Sequence, residues 1–127
     1  MRIARAHWDE IVAHARDDAP NECCGLLKTD DGEVVELVRV VNERNSPYGF
    51  ELGFEALTTA NEWDDDGHGV AVYHSHPRSA PEPSQTDINL AQYPHWLWLI
   101  VSLAGEPEIR GWRIEDGKVS EEELHVV

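Results

Sequence analysis

The sequence predicts an α+β fold: a mixed, mostly antiparallel β-sheet flanked by helices, forming one domain over residues 1–127. Three observations predict it. Two segments carry apolar residues at helical spacing, several short runs have the alternation or apolar density of strands, and Asp-Gly pairs mark two hairpin turns. Helices and strands interleave without the strict alternation of a parallel fold. With 127 residues the chain can bury one hydrophobic core but not two.

Each element has its own signal. Residues 6–18 are predicted as an amphipathic helix, because Trp8, Ile11, Val12 and Ala15 recur on one face and Pro20 ends it. Residues 24–28 form a short apolar strand, turned by Asp30-Asp31-Gly32 into a second strand over 33–41. Residues 42–53 are predicted as loop. A second helix covers 54–63, with Phe54, Leu57 and Ala60 or Asn61 marking its turns. The acidic run Asp64-Asp65-Asp66-Gly67 lacks the spacing and closing glutamate of a calcium loop and reads as a solvated turn. Val70 to Tyr73 is a buried strand running into His74. The prolines of 78–83 make that segment a loop, and Ser84 opens a helix that runs to about Gln92. Residues 96–103 form a fully buried strand, with Trp96 and Trp98 on one face and Leu97 and Leu99 on the other. Core packing is the expected use of the two tryptophans. Residues 108–115 and 118–126 pair through Asp116-Gly117.

Composition narrows the function. The net charge is -15, from 25 acidic residues against two lysines and eight arginines. Such a surface repels nucleic acid and anionic membranes, so neither is expected as a partner. Strong acidity with scarce lysine suits a high-salt cytoplasm, and a GC-rich genome equally favours arginine over lysine. No apolar run approaches the roughly 20 residues that span a bilayer, and the charged, amphipathic first turns are unlike a secretory signal. A cytoplasmic location is the expectation. Cys23 and Cys24 are adjacent and have no other cysteine to pair with, so core packing is expected rather than redox chemistry.

Chemistry concentrates in His74-Ser75-His76-Pro77, with Ser84 and Asp87 following. Side chains alternate along a strand, so His74 and His76 point one way and Ser75 the other. The Ser84 cap puts Asp87 in the first turn of a helix folded back over the strand end. Two imidazoles and a carboxylate can then meet at one metal ion. A His, His, Asp set leaves a tetrahedral zinc one open position, as in catalytic rather than structural sites. Each residue also has a plainer use. Ser84 and Asp87 can simply cap a helix, and Glu22 by itself reads as a solvent-exposed carboxylate. His7, His14, His68, His95 and His125 are given structural or surface roles.

The pattern His-Ser-His, with seven residues between the second histidine and Ser84 and two between Ser84 and Asp87, resembles the JAMM (MPN+) zinc metalloproteases. Glu22-Cys23-Cys24-Gly25 is similar to that family's upstream glutamate context, and the resemblance covers essentially the whole chain. It implies the JAMM/MPN (cytidine-deaminase-like) fold, with His74, His76 and Asp87 holding one zinc per chain. It further implies Glu22 as general base and acid and Ser84 as oxyanion donor. Pro20-Asn21-Glu22, Cys24-Gly25, Tyr73 to His76 and Pro83-Ser84 with Thr86-Asp87 look most like the short prokaryotic members. The implied partner is a ubiquitin-like or sulfur-carrier protein, cut after its C-terminal Gly-Gly. The alternatives are desampylase or deubiquitinase-like removal of modifiers from lysines, and a non-catalytic MPN scaffold. Strand addition is the expected way to hold such a tail, with residues 42–53 and 78–83 as the groove walls.

Overall fold

The computed structural model describes residues 1–127. Its elements run β1 (Arg2–Ile3), α1 (Arg5–Asp18), β2 (Cys24–Asp30), β3 (Glu33–Val40), α2 (Phe54–Asp65), β4 (Gly69–His76), α3 (Gln85–Leu90), β5 (Leu97–Ser102), β6 (Glu108–Glu115), β7 (Lys118–Glu122) and β8 (His125–Val126). All eight strands form one sheet in the order β7-β6-β5-β4-β2-β3-β1-β8. The β2–β3, β2–β4, β5–β6 and β6–β7 pairs are antiparallel, and β4–β5 is parallel. The expected mixed, mostly antiparallel sheet with flanking helices is therefore the fold observed.

The two faces of the sheet carry separate cores. Tyr73 and Ala71 of β4 join Leu97, Leu99 and Val101 of β5 beneath Ile11, Val12 and Ala15 of α1. Val70 and Val72 face the other way, with Trp96, Trp98, Ile100 and Trp112, against Ala60 and Trp63 of α2. β4 lies between β2 and β5, and Val70–His76 are all buried. Burying both faces of a strand requires the near-continuous apolar run that Val70–Tyr73 supplies. Both hairpins turn at Asp-Gly, with positive φ at Asp31 and Gly32 and at Asp116 and Gly117. That is the backbone of a tight turn matched to strand twist.

Among the boundaries that differ from expectation, three matter here. The final strand breaks: β7 ends at Glu122, and β8 crosses to pair in parallel with β1 at the opposite edge of the sheet. Leu124, between them, packs on the α1-side core, and a Cβ at Gly111 would lie 3.2 Å from its methyl. Two residues thus connect the two edge strands, so the sheet curls nearly onto itself. α3 stops at Leu90, where Tyr93 stacks on Trp96 with centroids 3.7 Å apart and draws the chain off the helix axis. α2 continues through Asp64 and Asp65. Asp64 is more than a solvated turn residue, since its Oδ2 accepts from His95 Nε2 and from Trp96 Nε1, tying α2 to the approach to β5.

Candidate metal centre and active site

The strand period brings His74 and His76 to the α2 face at the C-terminal end of β4, as the sequence predicts. Their Nε2 atoms lie 3.2 Å apart, and each is 3.1 Å from Asp87 Oδ2. Asp87 arrives through the helix cap. Ser84 Oγ accepts from the Asp87 N–H at 3.1 Å, and Asp87 Oδ2 accepts from the Ser84 N–H at 2.9 Å. Asp87 thus serves the helix cap and the triangle at once.

The donor set fits a zinc-sized cation. Bonds of about 2.05 Å at tetrahedral angles place ligand atoms roughly 3.3 Å apart. The His, His, Asp triangle, with edges of 3.1–3.2 Å, has that size. Two imidazole lone pairs and a carboxylate converging at this distance repel one another unless positive charge lies between them. Burial pushes the Asp87 carboxyl up, yet the bonds to His74 and His76 and the Ser84 N–H outweigh it and hold Asp87 well below the usual carboxylate range. Burial lowers His74 despite Asp87, so its ring favours the neutral, ligating form. Burial also opposes charge on His76, but its bonds to Asp87 and to the Ala80 carbonyl bring it above its ordinary value.

The two imidazoles are held differently. His76 Nδ1 donates to Ala80 O at 2.8 Å, so in the neutral ring the proton sits on Nδ1 and Nε2 is the nitrogen left to bind a metal. The 78–83 segment is clamped to do this: Ser102 Oγ donates to Ser79 O at 2.6 Å, and Trp112 Nε1 donates to Pro81 O at 2.9 Å. The Ala80 carbonyl of this segment thus orients a histidine. His74 Nδ1 is buried without a partner, and its ring is covered by Phe50, stacked at 4.4 Å and 20°.

Glu22 is not the exposed carboxylate its local context suggests. It is 6% exposed, and its Oε1 is buried with no hydrogen-bond partner. The antiparallel register explains the placement. Cys24 pairs with His74, and Ser75 N–H donates to Cys23 O, so Glu22 falls across from His76 on the same face of the sheet. Burial raises its pKa to about 7; Asp87 adds to this, while His76 and Arg44 oppose it. Ser84 is exposed, and its Oγ accepts the Asp87 N–H while donating to nothing in the protein. Its hydroxyl proton is free to point outward.

Beside the triangle lies an apolar cavity of about 240 Å³. Phe50, Leu52, Leu90, Tyr93, Trp96 and Trp98 line it, and His74 and Asp87 reach it. Trp96 and Trp98 pack in the core and line this cavity too. The cysteines are free, buried and pushed up to about 12 by burial, which leaves them as inert thiols. Of the other histidines, His14 is buried against Tyr73 and Asp18, while His68 and His95 pair with Asp30 and Asp64. Sequence reasoning missed Asn42 and Phe50, which lie in a loop with no periodicity to flag them.

A curled mixed sheet with helices on both faces, and a His, His, Asp triangle at the end of its central strand, defines the JAB class of domain. The chain belongs to that family: the model for prokaryotic homologs of the JAB domain matches residues 4–115. The chain is 36% identical over 123 residues to the CysO-cysteine peptidase of Mycobacterium tuberculosis, covering 92% of this chain and 84% of the relative. It is also 36% identical over 121 residues to the desampylase of Haloferax volcanii, covering 88% and 87%. Among solved structures, a Desulfitobacterium hafniense protein superposes with TM-score 0.85 at 33% identity, covering 99% of this chain and 92% of that one. The chain is a short prokaryotic JAMM-type hydrolytic enzyme.

Proposed function

We propose that residues 1–127 form one zinc-dependent peptidase domain acting in the cytoplasm, which hydrolyses the bond after the C-terminal Gly-Gly of a sulfur-carrier or ubiquitin-like protein. The observation that carries this reading is the buried 3.1–3.2 Å triangle of His74, His76 and Asp87 beside Glu22, whose carboxylate has an unsatisfied oxygen. Its chemical class agrees with the names of the peptidase and desampylase relatives, both of which act on carrier- or modifier-type proteins.

In this reading His74, His76 and Asp87 would hold one zinc through the converging Nε2 and Oδ2 atoms. When bound, zinc supplies Lewis acidity that makes water acidic enough to ionise near neutral pH. Glu22, poised near neutrality by burial, takes a proton from the attacking water and later returns it to the departing amine. The Ser84 hydroxyl donates to the carbonyl oxygen as that oxygen gains charge.

Both a single residue added after Gly-Gly and a lysine-linked conjugate present the same acyl group, so the proposal covers both. The test incubates zinc-loaded protein with one substrate of each kind and identifies the products by mass spectrometry. Cleavage after Gly-Gly in at least one, abolished by Glu22→Ala, is the expected result. Intact substrates in both arms, with about one zinc bound per chain, would reject the reading in favour of a scaffold.

A further inference from the structure

We propose that Asn42 is a positioning residue for the reaction: its amide fixes the backbone of Glu22 and, at the same time, the segment that lays Phe50 over His74. The proposal rests on the reading of Glu22 as the proton-transfer group. Asn42 follows β3 and is 8% exposed. Its Nδ2 donates to Glu22 O at 2.9 Å and to Gly49 O at 3.0 Å, and its Oδ1 accepts from Arg44 N–H and Glu51 N–H, both at 3.0 Å. A side-chain amide has two N–H donors and an oxygen with two lone pairs, and all are used here. Every partner is backbone. The amide orientation is fixed as well, since a flipped Asn42 would set Nδ2 against two N–H groups and Oδ1 against two carbonyls.

The partners show what is being held. Gly49 O and Glu51 N–H are the peptide groups flanking Phe50, whose ring stacks on His74 at 4.4 Å. Glu22 is tied to the same loop a second time, its N–H donating to Ser46 O at 2.9 Å. Both peptide groups of Glu22 are therefore anchored to residues 42–53 rather than to the sheet ladder. That loop has little regular pairing of its own, only the isolated bridges Asn42–Leu52 and Ser46–Gly49. One buried amide thus sets the spacing between the proton-transfer group and the cover over the first histidine. A displacement of about 1 Å in such a spacing is enough to cost about 100-fold in rate.

Two substitutions separate positioning from mere stability. Asn42→Asp keeps the acceptor for Arg44 and Glu51 but loses both donors, so a carboxylate faces the Glu22 and Gly49 carbonyls. Asn42→Ala loses all four bonds. With the zinc-loaded enzyme and a Gly-Gly-extended carrier as substrate, both variants are expected to lose about 10–100-fold in kcat, with KM and zinc content within twofold of wild type. In NMR of the metal-free protein, the Arg44 and Glu51 amides should stay protected from exchange in Asn42→Asp and lose protection in Asn42→Ala, while the Glu22 amide and carboxyl resonances shift in both. Unchanged kcat and unmoved Glu22 resonances would overturn the proposal, whatever happens to the melting temperature; so would a fall in kcat that follows lost zinc. If wild type cleaves neither Gly-Gly substrate, the peptidase reading fails and the role in the reaction falls with it; shifted resonances then show only that Asn42 sets the Glu22 backbone, which separates that failure from one of the positioning argument.

Discussion

The two faces of β4 bury polar side chains in comparable depth and treat them in opposite ways. Toward α1, the polar groups that β4 presents are satisfied within the protein. Tyr73 Oη donates to His14 Nδ1 at 2.6 Å, His14 Nε2 faces Asp18 at 3.3 Å, and Ser75 Oγ accepts from the Cys23 N–H at 2.7 Å. Toward α2, His74 Nδ1 and Glu22 Oε1 have no partner, and three ligand atoms crowd one another. Leaving a buried polar group unpaired costs about 1–3 kcal/mol. Polarity that completes itself serves the fold, whereas the open polarity of the other face is what the proposed zinc and proton transfer would use.

The sharpest way to break this contrast is to alter one face at a time. Asp87→Ala removes the carboxylate of the triangle. It is expected to reduce bound zinc from about one per chain to none, measured by plasma mass spectrometry after dialysis, and to lower kcat/KM by at least about 10³-fold. Tyr73→Phe on the other face should leave zinc content and kcat/KM within about twofold. It should also lower the unfolding free energy of the metal-free protein by about 1–3 kcal/mol in urea titrations, because His14 loses its partner. If Tyr73→Phe shed zinc, or Asp87→Ala kept it, the division of labour between the faces would collapse.

Glu22 sharpens the contrast through pH. Its folded pKa, about 7, lies above the unfolded value because burial disfavours the charge. Stability from the protonated form is therefore fully present below the unfolded value and is lost as pH rises through about 7. In metal-free protein above neutrality, Glu22→Gln should then be more stable than wild type, by on the order of 3 kcal/mol at most. A chelated sample followed by urea titration at pH 5 and pH 8.5 checks this, and equal differences at the two pH values would refute it. Activity runs the other way. The ionised form must accept the proton, so kcat/KM should climb as pH rises toward neutrality, and bound zinc would pull that limb below 7. On the proposed reading, the group that moves the proton is thus one that weakens the metal-free fold.

What could be read from the chain follows how local each signal is. The period-two placement of His74 and His76, the capping of α3 by Ser84 and Asp87, and both Asp-Gly hairpins depend on neighbours within four residues. Each was legible. β1 and β8 have two residues apiece, too few to show any alternation, and their pairing joins opposite ends of the chain. The burial of Glu22 follows from the Cys24–His74 register, a relation across 50 residues that no local pattern encodes. Asn42 is harder still. A lone asparagine after a strand looks like any turn residue, and only the folded loop reveals that four backbone groups converge on it.

The smallest effect concerns the whole surface rather than either face. With net charge -15, the chain repels an acidic substrate at long range, and salt shortens that repulsion to about 8 Å at physiological ionic strength. Recognition by backbone pairing and apolar contact near Phe50 and Tyr93 would survive that screening, because neither depends on long-range charge. For an acidic carrier, kcat/KM between 50 mM and 500 mM salt is therefore expected to hold steady or rise by a few fold, mostly through KM. A steep decline would mean that cations such as Arg44 and Arg78 steer the substrate in. Docking would then depend on a local patch of opposite sign, and the apolar α2-side cavity would be secondary to it.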